Sequence, residues 1–459
     1  MTRIVEQAAF AEFLARNDLE SIRVALSTVH PADAAAVLAG MPAAEAARVL
    51  PALSERKAAD ILAFLEPEAQ GAIAARLGRG ELARIVAAMA HDERADLFNR
   101  LSEAEREALL PALAAAERED IRKLASYPEG SAGSIMTSDY AVLAPELTVA
   151  EAIAKLRREA PDKETIYDAY VIDEARRLVG VVSLRDLLVA RDQATVAEIM
   201  RREVIAARVQ DPRELVAQKI AEYDLLALPI VNGDEKLVGI VTVDDAMDVA
   251  EREQARRLVR FGGTAALGGP DLDVLRSRFR AMFGQRFFWL ALLTGFGLVT
   301  SHFVAAQEVI LEEIVILAAF MAPIIDMGGN TGSQSATLVI RAMALGQVRT
   351  AWRDFFRVLR RDVLVALALG AAIAALEVVL AFLTKDVAPK ILLVVGLAML
   401  VVTVAGSLIG LALPFLARLV KADPATLSAP VITSIMDLLG VFIYFGLAWM
   451  FLGDVSTAA

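Results

Sequence analysis

From residue 286 onward the chain is built almost entirely of long apolar runs. Five of them are long enough to cross a bilayer: roughly 286–306, 314–340, 363–384, 391–416 and 429–452. A helix needs about 20 predominantly apolar residues to span the hydrocarbon core. Residues 1–285 are of another kind, with charged and apolar residues alternating throughout. The chain therefore reads as a water-soluble amino-terminal body followed by an all-helical, five-span membrane domain. Its mean hydropathy of +0.51 is too high for an ordinary soluble protein.

Charge sets the expected orientation. Residues 1–30 carry charges throughout and have no apolar core of signal-peptide length, so the amino-terminal body is expected in the cytoplasm. The link 341–362 carries Arg341, Arg349, Arg353, Arg357, Arg360 and Arg361, whereas 307–313 carries Glu308, Glu312 and Glu313 and no Lys or Arg. Cytoplasmic links are enriched in Lys and Arg. The arginine link is thus expected inside, the acidic link outside, and the carboxyl terminus outside.

The second span contains APIIDMGGNTGSQSAT, residues 322–337, with many bare oxygens and little side chain. Charged groups at membrane depth are costly and usually face a cavity with a function. Asp326 lies near the middle of this span and Asp437 well inside the fifth, with Glu377 a third acid in span 3. Gly328, Gly329 and Gly332 allow two readings. One is close helix packing of the small-xxx-small kind. The other is irregular backbone whose carbonyls, with Asn330, Thr331, Ser333 and Gln334, line a wet path. Pro323, Pro414 and Pro430 are expected to kink or break helices. Oxygen ligands with one or two carboxylates suit a small hydrated dication.

Other classes are disfavoured. With no cysteine and three scattered histidines, thiolate metal sites are excluded and soft-ligand sites are disfavoured. The net charge is −11, and no basic patch or aromatic platform for nucleic acid is present. No Ser-His-Asp set, phosphate loop or metal-hydrolase motif stands out, so the chain does not read as an enzyme.

The amino-terminal body carries two kinds of repeat. Val37, Val49, Ile61, Ile73, Ile85, Leu97 and Leu109 recur every twelve residues, with Leu38, Leu50, Leu62 and their successors beside them. Such short helix-plus-turn units must stack to bury their faces. Two longer halves follow, leading to VGVVSLRDLL and VGIVTVDDAM, and their pattern suggests a tandem α/β repeat. They share Gly180, Ser183, Asp186 and Gly239, Thr242, Asp245. The Ser or Thr reads as a helix N-cap, or as part of a ligand site with the aspartate. A charged helix and a glycine-rich bend (FGGTAALGGPDLD, 261–273), followed by a helix with Arg276, Arg278 and Arg280, lead into the membrane.

These stretches, above all GGNTGSQSATLVIRAMALG and DPATLSAPVITSIMD, with MAHDERADLF, YPEGSAGSIM and GIVTVDDAMDV, resemble the MgtE family of magnesium channels and transporters. The resemblance covers nearly the whole chain. It implies a multidomain integral membrane protein: an α-superhelical N domain (1–127), tandem α/β CBS repeats (128–195 and 196–250), a connecting plug helix (251–284) and an all-α five-span transmembrane domain (285–459). It further implies a homodimer in the cytoplasmic membrane taking up Mg²⁺ through one pore. Asp437 would bind hydrated Mg²⁺ there, with Gly328, Gly329 and Asn330 lining the path and Asp326 nearby.

The same resemblance implies a cytosolic Mg²⁺ sensor that holds the pore shut. Asp92 and Asp96 would contribute from the N domain, Asp224, Asp245 and Asp248 from the second CBS repeat, and Glu253 from the plug helix. Read from the residues alone, these acids are equally an ordinary solvated face. Arg256 and Arg257 stand where further plug acids are expected. ATP is a second expected ligand, with Asp186 on the ribose and Tyr170 and Ser183 near the adenine pocket, although Leu228 stands where an aromatic platform would be better. Two rival readings remain at this level: a nucleotide-sensing CBS protein without transport, and an ion-coupled carrier in which Asp326 or Glu377 titrates.

Overall fold

The structure, a computed structural model, describes residues 19–261, 277–385, 387–420, 424 and 429–452. Arg276, nearly all of the glycine-rich bend and residues 425–428 before the fifth span lie outside the described residues. The chain divides into two compact units, Met1–Glu251 and Arg252–Ala459.

The described part of the first unit begins with a helix, Leu19–Thr28, and then keeps the twelve-residue period. Helices begin at Pro31, Ala43, Glu55, Pro67, Arg79, His91, Glu103 and Ala115. Local chemistry sets these starts. Pro31 and Pro67 occupy first-turn positions where a missing N–H costs nothing. Glu81, Glu105 and Glu117 reach back to the backbone N–H of Gly78, Ser102 and Ala114, the reciprocal half of a capping box. Helices of seven to ten residues are too short to stand alone. Each packs on its second neighbour, and the periodic column Val49, Ile61, Ile73, Ile85, Leu97 and Leu109 is at most 3 % exposed. The repeat is a superhelix.

Two three-stranded sheets follow, β1 (Tyr140–Leu143), β2 (Thr165–Ile172), β3 (Leu178–Ser183) and β4 (Ala207–Arg208), β5 (Ala227–Val231), β6 (Leu237–Thr242). In each, the first pair is parallel and the second antiparallel. The leader of each half serves the other half. Thr137 exchanges backbone hydrogen bonds with Ile240, and Arg201 with Val181. A Cβ at Gly239 would meet Met136 Sδ at 2.6 Å, and one at Gly180 would meet Met200 Sδ at 2.5 Å. The repeated glycines therefore seat the methionine of the opposite leader. Tyr140, Tyr170, Ala227, Leu237 and Ile240 form the core between the two repeats. His91 fastens the superhelix to the first repeat, with Nδ1 2.6 Å from Ser138 Oγ and Nε2 3.1 Å from Asp139 Oδ2.

Among the described residues the second unit contains five helices long and apolar enough to cross a membrane: span 1 (Phe279–Ala305), span 2 (Ala318–Ala344), span 3 (Trp352–Lys385), span 4 (Pro389–Leu419) and span 5 (Ala429–Leu452). Two expectations are corrected. The helix of span 3 begins eleven residues before the apolar run at 363, in what reads as a link, because Phe355, Val358 and Leu359 form an inward apolar stripe that carries the helix through its arginines. Spans 2 and 4 stay helical through Pro323 and Pro414, and Pro430 sits in the first turn of span 5, where proline fits. Of the two readings of the glycines, helix packing is the one that fits, since Gly328, Gly329 and Gly332 all lie within one continuous helix.

Candidate functional site

The glycines of span 2 are a packing surface. Gly328 and Gly332 are one turn apart, and so are Gly406 and Gly410 of span 4. A Cβ at Gly406 would fall on the Gly328 carbonyl oxygen, and one at Gly410 on that of Gly332. The two backbones touch, as small residues at four-residue spacing allow. Gly329 lies against Thr433 of span 5. One turn below, Asp362 of span 3 accepts hydrogen bonds from Ser335 and Ser407, whose hydroxyls are 2.8 Å apart. Sequence reasoning missed Gly406, Gly410 and Asp362.

The opposite face of span 2 is polar. Asp326, Asn330, Ser333 and Thr337 follow at steps of four, three and four, which aligns them on one side of a helix. Ser333 is half-buried and the other three are exposed. Asn330 Nδ2 donates to Asp326 Oδ2 at 3.1 Å. Asp437, half-buried on span 5, is close enough to Asp326 for their charges to interact. Thr331, Thr337, Thr403 and Thr433 turn their hydroxyls back onto carbonyls four residues earlier, which leaves Asp326, Asn330 and Ser333 as the outward polar groups of the stripe. Glu377 is half-buried, with no hydrogen bond or ion pair among the described residues.

In the first unit the structure brings acids of the superhelix and of the second CBS repeat together. Burial, then Glu164, pushes the Asp92 carboxyl up to about 7. Burial, then Asp92 and Asp96, pushes Glu93 up to about 8. Asp245 is raised by burial and then by Asp92, although Thr242 Oγ1 donates to it at 2.8 Å. Glu164 is raised by burial and then by Asp244. Asp248 adds to the field at Glu93. Asp92 Oδ1 is buried with no hydrogen-bond partner. Glu93, Glu164 and Asp244 were not expected in this cluster. Asp224 stands exposed at a positive φ of 52°. Glu253 accepts from Arg257 Nε at 2.9 Å. Among the described residues no three carboxylates or imidazoles converge tightly enough to ligate a bare ion. A dication keeping its water shell fits such a cluster better, and the orphaned Asp92 oxygen is a place for it to be held.

A cleft of about 540 Å³ lies beside the first CBS repeat, lined among others by Tyr167, Asp168, Asp186, Arg185, Arg201 and Leu226. Ser183 also lines it, but its Oγ caps the following helix by accepting from Asp186 N at 3.1 Å. Tyr170 does not line the cleft. It points into the inter-repeat core, 1 % exposed, its hydroxyl donating to Ala227 O at 3.3 Å. Leu228 is likewise fully buried in the second repeat.

Family models match the chain in the order of these parts: the MgtE intracellular N domain at 29–130, CBS domains at 132–192 and 196–252, and the MgtE divalent cation transporter at 321–447. The magnesium transporter MgtE of Thermus thermophilus is 40 % identical over 336 residues, 73 % of each chain. That of Enterococcus faecalis is 35 % identical over 333 residues, 72 % of each. A crystal structure of the cytosolic domain of the Mg²⁺ channel MgtE with ATP is 38 % identical, with a TM-score of 0.51 over 53 % of this chain and 99 % of that one. The helical N domain, the CBS pair, the five membrane-length helices and these relatives agree, and the chain belongs to the MgtE family of magnesium transporters.

Proposed function

We propose that the chain is a self-gated Mg²⁺ channel of the cytoplasmic membrane, working as a homodimer, with its amino-terminal unit inside and its carboxyl terminus outside. The polar stripe of span 2 carries this reading. Asp326 and Asn330 open outward from a single copy's helix bundle, and acyl chains cannot satisfy them. A water path shared with a second copy does. Asp437 and Asp326 supply the charge that draws a hydrated dication, and the neutral oxygens of Asn330 and Ser333 meet its water shell. Gly328 and Gly329 set the distance between helices around that path. Because the chain has no cysteine, Asn330→Cys gives a single reporter. A membrane-impermeant thiol reagent labels it, Mg²⁺ slows the labelling, and two copies cross-link. Labelling only by lipid-soluble reagents would contradict the path.

Gating is assigned to the acidic cluster. Asp92, Asp96, Asp245 and Asp248, with Glu93, Glu164 and Asp244, repel one another unless protons or a dication intervene. Mg²⁺ closes the channel by binding the compact state better than the open one. Asp224 is a further exposed carboxylate of the first unit, and Glu253 is a separate candidate on the helix that opens the second.

The raised carboxyls fix the sign of a pH effect. Asp92 and Glu93 hold protons when folded at pH values where the unfolded chain has released them, so unfolding releases protons. The stability they contribute is present near pH 4 and is lost as pH rises through about 7 to 8. In Mg²⁺-free buffer, amide exchange across His91–Arg100 should therefore speed up from pH 5 to pH 8 beyond the intrinsic chemical dependence. Millimolar Mg²⁺ should remove the excess.

ATP is the nucleotide assigned to the cleft, with Asp186 on the ribose hydroxyls, Arg185 and Arg201 toward the phosphates, and Tyr167 as the available ring. Asp186→Ala should weaken ATP binding by roughly tenfold in equilibrium dialysis, the effect of one charge-assisted hydrogen bond. An unchanged affinity would place the nucleotide elsewhere.

A further inference from the structure

Neither the ion path nor the acidic cluster uses the arginines at the start of span 3. That helix has 34 residues, about 50 Å at 1.5 Å per residue, against a hydrocarbon core of about 30 Å. Its apolar stretch begins at Val363, so roughly its first three turns stand at headgroup depth. Phe355, Val358 and Leu359 face inward, with the Phe355 and Phe415 rings edge to face at 5.1 Å. Arg353, Arg357, Arg360 and Arg361 are all exposed and fall within a sector of about 100° around the helix. Beside that sector stand Trp352 and Phe356, 69 % and 58 % exposed, their rings stacked at 6.2 Å.

This positive charge is barely compensated. Asp354 is the one acid between residues 341 and 361. It pairs with Arg357 at 2.8 Å and accepts from the backbone N–H of Arg349 at 3.1 Å. The side chains of Arg353, Arg360 and Arg361 make no ion pair or hydrogen bond among the described residues.

We propose that this end of span 3 is a binding site for the phosphate headgroups of anionic phospholipids. Guanidinium forks match phosphate oxygens, and exposed Trp and Phe rings need the apolar layer beneath the headgroups. An acidic protein face would satisfy the arginines but leave the rings in water. The helix also runs straight on into exposed apolar residues such as Leu364, 65 % exposed, the mark of a lipid-facing surface. The site requires only that span 3 cross a bilayer, whichever way it is oriented, and it is independent of the ion path. Its inner face holds Asp362 on Ser335 and Ser407, so a lipid seated outside steadies the contacts among spans 2, 3 and 4.

The test is native mass spectrometry of the full chain, titrated with phosphatidylglycerol or phosphatidylcholine. The variants are wild type and Arg353→Gln/Arg360→Gln/Arg361→Gln. Each arginine near an anionic lipid surface is worth roughly a fivefold change in binding. The triple variant should lose about 100-fold for phosphatidylglycerol and nothing for phosphatidylcholine. If the triple variant fails to fold, the single Arg→Gln variants should each lose about fivefold and the Arg→Lys variants less. Equal binding of both lipids by the wild type, or unchanged phosphatidylglycerol binding in the variants, overturns the proposal. So does displacement of the lipid by glycerol phosphate, which would make a soluble phosphate the ligand. A lost Mg²⁺ response with lipid binding intact would assign the arginines to an acidic protein face and overturn it as well.

Discussion

Asp437→Asn should reduce Mg²⁺ flux into proteoliposomes by about 100-fold or more while leaving the protein folded. The substitution keeps the shape of the side chain and removes its charge. A dication about 6 Å away, with one water layer between, is held by a carboxylate with roughly 5 kcal/mol at an effective dielectric of about 20. Losing about half of that is a factor of about 100. Asp326→Asn should cost less, because Asp326 already accepts from Asn330 and stands more exposed than Asp437. Flux through Asp437→Asn equal to wild type would move the ion site off span 5.

Gly410→Val should be the most damaging single change to the membrane unit. A Cβ there overlaps the Gly332 carbonyl oxygen, and a backbone atom in another helix cannot rotate away. Overpacking of well-packed sites costs about 1–3 kcal/mol, and a backbone clash belongs at or above the top of that range. The expected readout is loss of the folded peak in detergent size-exclusion, or a melting temperature lowered by many degrees. Gly446→Ala is the control, since nothing lies within 4 Å of a Cβ at Gly446; it should be neutral or slightly stabilising, as alanine favours helix over glycine. Equal stability of the two variants would contradict the close crossing of spans 2 and 4.

Much of the architecture was legible in the sequence because it rests on local periods. A twelve-residue helix-plus-turn unit repeats its buried column in register, and five apolar runs can satisfy lipid only as helices. Where local signals mixed, reading failed. The first three turns of span 3 were hidden because their arginines lower the hydropathy, although Phe355, Val358 and Leu359 carry the helical spacing. Asp362 fell one residue outside the span as drawn. Gly406 and Gly410 repeat the spacing of Gly328 and Gly332, a signal that was present and unused. The acidic cluster was half legible. Asp92, Asp96, Asp245 and Asp248 followed from the family resemblance, but Glu164 reaches them only through tertiary packing. Tyr170 shows the same limit, since its place on β2 leaves open whether it faces the cleft or the inter-repeat core.

The most direct test of self-gating is Mg²⁺ flux through the wild-type chain reconstituted in one orientation, measured as Mg²⁺ is raised on the side of the amino-terminal unit. The account predicts high flux at micromolar Mg²⁺ that falls steeply into the millimolar range, with the fall abolished in Asp92→Asn/Asp245→Asn while its low-Mg²⁺ flux persists. Flux indifferent to Mg²⁺ on that side in the wild type would contradict it.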